Sequence, residues 1–527
     1  MIFLGIDVGT SATKTLAIDE SGRILAEASH SYQSRHPQPT WSEQDPDDWW
    51  HAVVRTVQAV VRTAALKPHD VKAIGLTGQM HGAVFLDKDD QVVRPAILWN
   101  DQRTTNECDE MEKKVGSREG LVKLVANRAI SGFTAPKILW LRNNEPHNFE
   151  KTRKVLLPKD DVRRRLTGEY ATDLSDASGY LLLDVENRKW SKELLHLLDL
   201  DIDLLPQCYE SPEVTGRLTK QAAELLGLST DCIVVGGAGD CPAGAIGTGI
   251  VTTGTLSTSI GTSSVMMVHS EECKIDPEGR IHTICHAVPG KWLMMGVNLS
   301  GGGCLQWFRE TLCPQVDDAV SPANMYEMLA HEANAIPAGS DGLMFLPYLS
   351  GERTPHFDAD ARGCFIGLTL AHTRGHMVRA IMEGVAYNMT HSLQIIRGLS
   401  VPVTEIRASG GGSQSGVWRQ IQADCFGQPV TTVTADQGPA YGAALLAAVG
   451  GGAFFSVEEA CNATVKVTKA TQRIESNARY YALGLPAFQR LYVALKEEFS
   501  LIAALESLHL SSAASQQEQQ LKPSLTQ

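Results

Sequence analysis

A short signature occurs twice in this chain, as Ile6-Asp7-Val8-Gly9-Thr10-Ser11 and as Ser259-Ile260-Gly261-Thr262-Ser263-Ser264. An apolar run enters each copy and another leaves it: residues 2–6 and 15–18 flank the first, 256–260 and 265–268 the second. The pattern predicts two strand–turn–strand units in which glycine makes the tight turn. A duplicated unit restricts the chain to folds with two like halves, and exposed amides in two such turns suit the phosphates of one nucleotide held between them. The copies differ at one position that matters chemically. Asp7 aligns with Ser259, so only the first turn carries a carboxylate suited to a hydrated Mg²⁺.

A chain of 527 residues is too long for one hydrophobic core and implies two large domains or more. Its 43% hydrophobic and 20% charged content is that of a globular enzyme. A formal charge of -13 repels nucleic acid and anionic membrane, so neither is an expected partner, and a phosphate ligand must rely on local amides and metal. The eleven cysteines are scattered without the paired spacing of a zinc site or a secreted disulfide scaffold. No window approaches the roughly 20 apolar residues of a membrane span. The expectation is a cytoplasmic protein with reduced thiols.

Strands are expected at 73–77, 233–236 and 405–408, each running into a polar or glycine-rich loop: Gly78-Gln79-Met80-His81-Gly82, Gly237-Ala238-Gly239-Asp240 and Gly410-Gly411-Gly412. Helices are expected at 47–64, from Cys241-Pro242 through 246, at 417–426, from Gln437-Gly438-Pro439 onward and over 483–508. Strands that end in such loops are where α/β domains place binding groups. The domain boundary is set near 250, giving an N-terminal domain over 1–250 and a C-terminal domain over 251–500. The Ser- and Gln-rich segment 509–527 is expected to be a disordered tail.

The ordered motifs together resemble the FGGY family of carbohydrate kinases. These are the two phosphate loops, Gly132-Phe133-Thr134-Ala135-Pro136-Lys137-Ile138-Leu139-Trp140, and Gly363-Cys364-Phe365-Ile366-Gly367-Leu368 followed by His376, Ala380 and Glu383. The resemblance implies an α/β fold of two duplicated actin-like ATPase (ribonuclease H-like) domains with a cleft between them. It also implies ATP and Mg²⁺, a sugar substrate and a homodimer. Within the family, four segments are similar to the branch acting on xylulose: Trp41-Ser42-Glu43-Gln44-Asp45-Pro46 with Trp49-Trp50, Gly78-Gln79-Met80-His81-Gly82, Ile97-Leu98-Trp99-Asn100-Asp101 and Leu346-Pro347-Tyr348-Leu349-Ser350-Gly351-Glu352-Arg353-Thr354-Pro355. D-xylulose and ATP giving D-xylulose 5-phosphate is the expected reaction. L-xylulose, ribulose, gluconate or a polyol as acceptor, and a non-catalytic sensor of ATP and sugar, are the alternatives.

Phosphoryl transfer to a hydroxyl needs a base, phosphate donors and in-line placement. Asp240, after a glycine-rich turn and before a helix, is the candidate base; an N-cap is its ordinary structural reading. Asp7 is the candidate metal ligand, and Gly9, Thr10, Ser11 and Lys14, with Gly261 and Thr262, are assigned to the phosphates. The resemblance places Gly410, Gly411 and Gly412 against the adenosine and α-phosphate. It places Gln79, Met80 and His81, with Asp240, around the sugar. Many relatives carry an amide after the catalytic Asp, whereas here Cys241 offers a weaker donor and Pro242 removes a backbone one.

Overall fold

The computed structural model describes residues 1–313, 322–433, 438–468 and 470–520, without the side chains of 322–324 and 506–520. Its frame is two mixed sheets of like topology. In the first, the order is Val214–Arg217, Ile233–Val235, Val71–Gly78, Ile2–Val8, Ala12–Asp19 and Ile24–Ser31, with Ala238–Gly239 also on Val71–Gly78. In the second it is His282–Cys285, Trp292–Asn298, Ser264–Ser270, Gly254–Ile260, Val403–Ser409 and Val430–Thr432. The strand before each phosphate loop pairs antiparallel with the strand after it and parallel with a later strand on its other edge. Both predicted strand–turn–strand units are therefore present, one at the centre of each sheet.

The central strand Ile2–Val8 buries Phe3, Leu4, Ile6 and Val8 completely, which requires cover on both faces. One cover is the helix Pro46–Thr63, started by the Asp45 carboxylate accepting the Asp47 amide and burying Trp49, Val53, Val57 and Val60. The opposite cover comes from far along the chain. The helix Pro439–Gly450 lies against Ile2–Val8 and Val71–Gly78, and it crosses the helix Asp240–Gly247. This contact is nearly backbone to backbone. A Cβ added to Gly5 would sit 1.9 Å from the Ala440 carbonyl oxygen, one on Gly75 1.9 Å from that of Ala443, and one on Gly442 1.8 Å from that of Ala243. No side chain fits there without moving the helix.

The second sheet is backed by the 25-residue helix Arg374–Gly398, whose capping box joins Thr373 and His376. Glu383, part of the family signature, is consumed structurally: its buried carboxylate accepts from Gly339 N, Ser340 Oγ, Arg379 Nε and Tyr481 Oη. Two expectations are corrected. The helix predicted from Cys241 begins one residue earlier, at Asp240, because the extended Gly239 supplies the N-cap position. The segment 509–520, expected to be disordered tail, continues the helix Glu475–Gln520, since its Ser, Ala, Gln and Glu residues include no helix breaker before Pro523. Residues 521–527 of that tail, and Gln437 of the predicted helix start, lie outside the described residues.

Candidate active site

Register in the first sheet gathers the candidates. Asp7 lies beside Thr77, and Thr77 beside Ala238; Val8 lies beside Gly78, and Gly78 beside Gly239. These strands are parallel, so Gly9-Thr10-Ser11, Gln79-Met80-His81 and Asp240 leave the same end of the sheet. The second sheet repeats the device, with Ser259 beside Ser409, so that Gly261-Thr262 and Gly410-Gly411-Gly412 leave adjacent strand ends.

Asp240 is half-buried in the first turn of its helix, where its Oδ1 accepts the amide of Cys241 at 2.7 Å. It does not cap the helix, and its second oxygen remains available. Burial raises its pKa to about 6 against the pull of the Cys241 amide. Asp7 is pushed up to about 7 by burial and by the charge of Asp240, with Lys14 pulling the other way. Two carboxylates close enough to perturb one another share the site, and Asp7 Oδ1 is buried with no hydrogen-bond partner. An unpaired carboxylate oxygen facing a second carboxylate is a fitting donor for Mg²⁺, which uses one or two carboxylates and otherwise keeps water and phosphate ligands. Among the described residues there is no preformed cluster of three or more metal-ligating side chains.

The first phosphate loop is held open by its surroundings. Gly9 N donates to Ala12 O at 3.1 Å, and Tyr32 Oη donates to Gly9 O at 2.6 Å. Thr10 is tied by three partners: Gln44 Nε2 donates to its carbonyl at 2.6 Å, Trp99 Nε1 to its hydroxyl at 2.9 Å, and the hydroxyl donates to Gln79 Oε1 at 3.4 Å. Gln79 Nε2 in turn donates to Gln44 Oε1. Gln79, expected on the sugar, is thus committed to holding the loop. Ser11 is exposed, and Lys14 forms a 3.0 Å ion pair with Glu27 on the next strand.

Met80 is buried beneath the turn that carries Asp240, where a Cβ on Gly239 would meet its sulfur at 2.7 Å. His81 adopts a left-handed backbone (φ 68°), places Nδ1 3.2 Å from Gly179 O and packs edge-on against Phe133. That contact makes Nδ1 the protonated nitrogen and leaves Nε2 as an acceptor. Burial, with Lys137, Arg353 and His282 nearby, holds His81 neutral. Lys137 Nζ donates to the carbonyls of His81 and Gly132, fixing both segments.

The second phosphate loop opens into a cavity of about 840 Å³ lined by Gly261, Thr262, Gly302, Gly411 and Gly412 and walled by Leu305, Tyr326 and Trp418. Exposed amides on one side and apolar and aromatic walls on the other match a nucleotide's two ends. Sequence reasoning missed Gly301-Gly302-Gly303, although this run has the same character as the 410–412 run. Its amides donate to the carbonyls of Thr262 and Gly261, and a Cβ on Gly302 would lie 2.7 Å from Gly261 O. Gly302→Ala therefore overpacks the loop, at roughly 1–3 kcal/mol. The expected result is an ATP affinity about tenfold weaker, read by calorimetry, with sugar affinity unchanged.

Beneath the turn that carries Asp240 lies a fully buried charge cluster that sequence also left unseen. Lys159 Nζ is 2.7 Å from Asp160, 2.8 Å from Asp173 and 3.3 Å from Asp176, and Arg163 donates to Val235 O and Gly236 O. Ser175, beside Asp176, accepts the Gly239 amide at 3.2 Å. Burial, with the Asp173, Asp160 and Asp240 charges, drives Asp176 well above the usual carboxylate range despite Lys159.

Two like domains, each with a phosphate loop at the end of its central strand and the first with an acidic strand end beside it, define a sugar kinase of the actin-like ATPase fold. The chain belongs to the FGGY family of carbohydrate kinases, the N-terminal domain matching residues 2–247 and the C-terminal domain residues 256–451. It is 38% identical over 494 residues to the xylulose kinase of Bacillus subtilis (strain 168), covering 94% of this chain and 97% of that protein. It is 41% identical over 449 residues to the xylulose kinase of Escherichia coli (strain K12), covering 85% and 90%. The solved xylulose kinase of Rhodospirillum rubrum superposes with a TM-score of 0.88 at 30% identity, covering 95% of this chain and all of that one.

Proposed function

We propose that the protein transfers the γ-phosphoryl group of ATP to the C5 hydroxyl of D-xylulose, forming D-xylulose 5-phosphate and ADP, with Asp240 as general base. The observation that carries the reading is the raised, half-buried Asp240 carboxylate at the same sheet end as the first phosphate loop and Asp7. Similarity to xylulose kinases over nearly the whole chain supports the choice of sugar.

Asp240 accepts the hydroxyl proton on its free oxygen as the sugar oxygen attacks the γ-phosphorus and the bond to the ADP oxygen breaks. Amides of the Gly9-Thr10-Ser11 and Gly261-Thr262 turns receive the phosphate charge, and the Gly410–Gly412 run lets backbone approach the adenosine and α-phosphate. His81 Nε2 accepts a sugar hydroxyl. Mg²⁺, held by Asp7, would supply charge neutralisation at the phosphates. Cytoplasmic location and a homodimer belong to the same reading; fractionation and light scattering test them.

ADP release with MgATP and a panel of D-xylulose, L-xylulose, ribulose, gluconate and polyols tests the proposal. Selective turnover of D-xylulose supports it, another preferred acceptor relocates the substrate, and ATP consumption that ignores every sugar sinks it. The pH dependence follows from the raised pKa. Asp240 must be ionised to accept a proton, so kcat/KM is expected to fall as pH drops through about 6. A profile flat down to pH about 4, the ordinary carboxylate range, would remove Asp240 as the titrating base.

A further inference from the structure

Arg353 belongs to the C-terminal half but reaches the sugar-side surface of the N-terminal half. Its Nη2 lies 3.6 Å from where a Cβ on Gly132 would stand, and its charge bears on His81, His282, Lys137 and Cys241. The segment carrying it is anchored rigidly to the second sheet. Thr354 N donates to Val297 O at 2.8 Å, Asn298 Nδ2 donates to Thr354 O at 2.6 Å, and the buried Glu352 carboxylate accepts from Leu299 N and Asn388 Nδ2. The guanidinium itself is half-buried, and it has no hydrogen bond or ion pair among the described residues. The two buried lysines nearby are engaged, Lys137 by carbonyls and Lys159 by carboxylates. A partly desolvated cation with five unspent donors, facing a neutral imidazole and a thiol, needs an oxygen-rich ligand.

We propose that Arg353 is the C-terminal half's own sugar-binding residue, donating to acceptor oxygens of a polyhydroxylated substrate held against Gly132, His81 and Cys241. The inference rests on the sugar-kinase reading and deepens it. Cys241 is a poor donor where relatives offer an amide, and Arg353 supplies the missing donor from the opposite half. The bound sugar then bridges both halves, which links sugar occupancy to closure around the nucleotide.

The test is calorimetric titration of D-xylulose, without nucleotide, into the wild type, Arg353→Lys and Arg353→Gln, with melting curves as a fold check. Hydrogen bonds to a charged donor predict affinity about 10- to 100-fold weaker in Arg353→Gln, only partly restored in Arg353→Lys, with ATP affinity unchanged. Equal sugar affinity in all three overturns the inference. Phenylglyoxal labelling of the wild type, read at Arg353 by peptide mass spectrometry, needs no variant: D-xylulose is expected to slow it and ATP alone is not. Labelling indifferent to the sugar overturns the inference as well. A wild type that binds the sugar through Arg353 without releasing ADP would defeat the kinase reading alone. Sugar-dependent ADP release with variants of unaltered affinity would defeat this inference alone.

Discussion

Asp240→Ala is expected to lower kcat by roughly 10²- to 10⁴-fold while leaving ATP affinity nearly intact. The carboxylate touches no group of the nucleotide cavity, whose lining comes from Gly261, Thr262 and the 302 and 411–412 glycines. Its bonds to Cys241, through the amide and the thiol, are local, so its removal costs little structure. Asp240→Asn sharpens the result, because an amide preserves shape and polarity but takes up no proton. Stopped-flow ADP release for both variants, with calorimetric ATP binding beside it, checks the role. Turnover within threefold of wild type would reject Asp240 as the base.

The largest expected loss of stability is at Lys159. Lys159→Met removes one of the two cations from a cluster with no solvent access, leaving Asp160 with Arg163 and Asp173 and Asp176 without their ammonium. Deleting one member of a buried ion cluster costs about 3–5 kcal/mol, since the survivors keep their desolvation penalty without the attraction that offset it. The loss should appear as a lower denaturant midpoint with an unchanged slope. Turnover per folded molecule should fall too, because Arg163 and Ser175 hold the turn that carries Asp240. A midpoint equal to wild type would show that Lys159 is dispensable.

The parts legible in the sequence were those whose cause is local. Both phosphate loops, the 410–412 run and the position of Asp240 announce themselves through glycine placement next to apolar strands. What stayed hidden depends on partners distant in the chain. The bonds of Gln79 to Thr10 and Gln44 leave no trace in the sequence. Nor does the ion pair of Lys14 with Glu27 on the neighbouring strand. Arg353 sits in a motif already singled out, yet its reach to Gly132 spans the two halves and leaves no periodic trace. Lys159 falls in the charged helix Pro158–Thr167, and only tertiary packing reveals it as core.

The helix Pro439–Gly450 also sets a timetable for synthesis. Phe3, Leu16, Ala73 and Val235 pack against Ala440, Ala444, Leu445 and Ala448, so the first sheet to emerge from the ribosome keeps an apolar face bare until the chain has been made through Gly450. Folding of the N-terminal half is therefore completed by a helix made only after every strand of the second sheet, and the bare apolar face is open to aggregation in the interval.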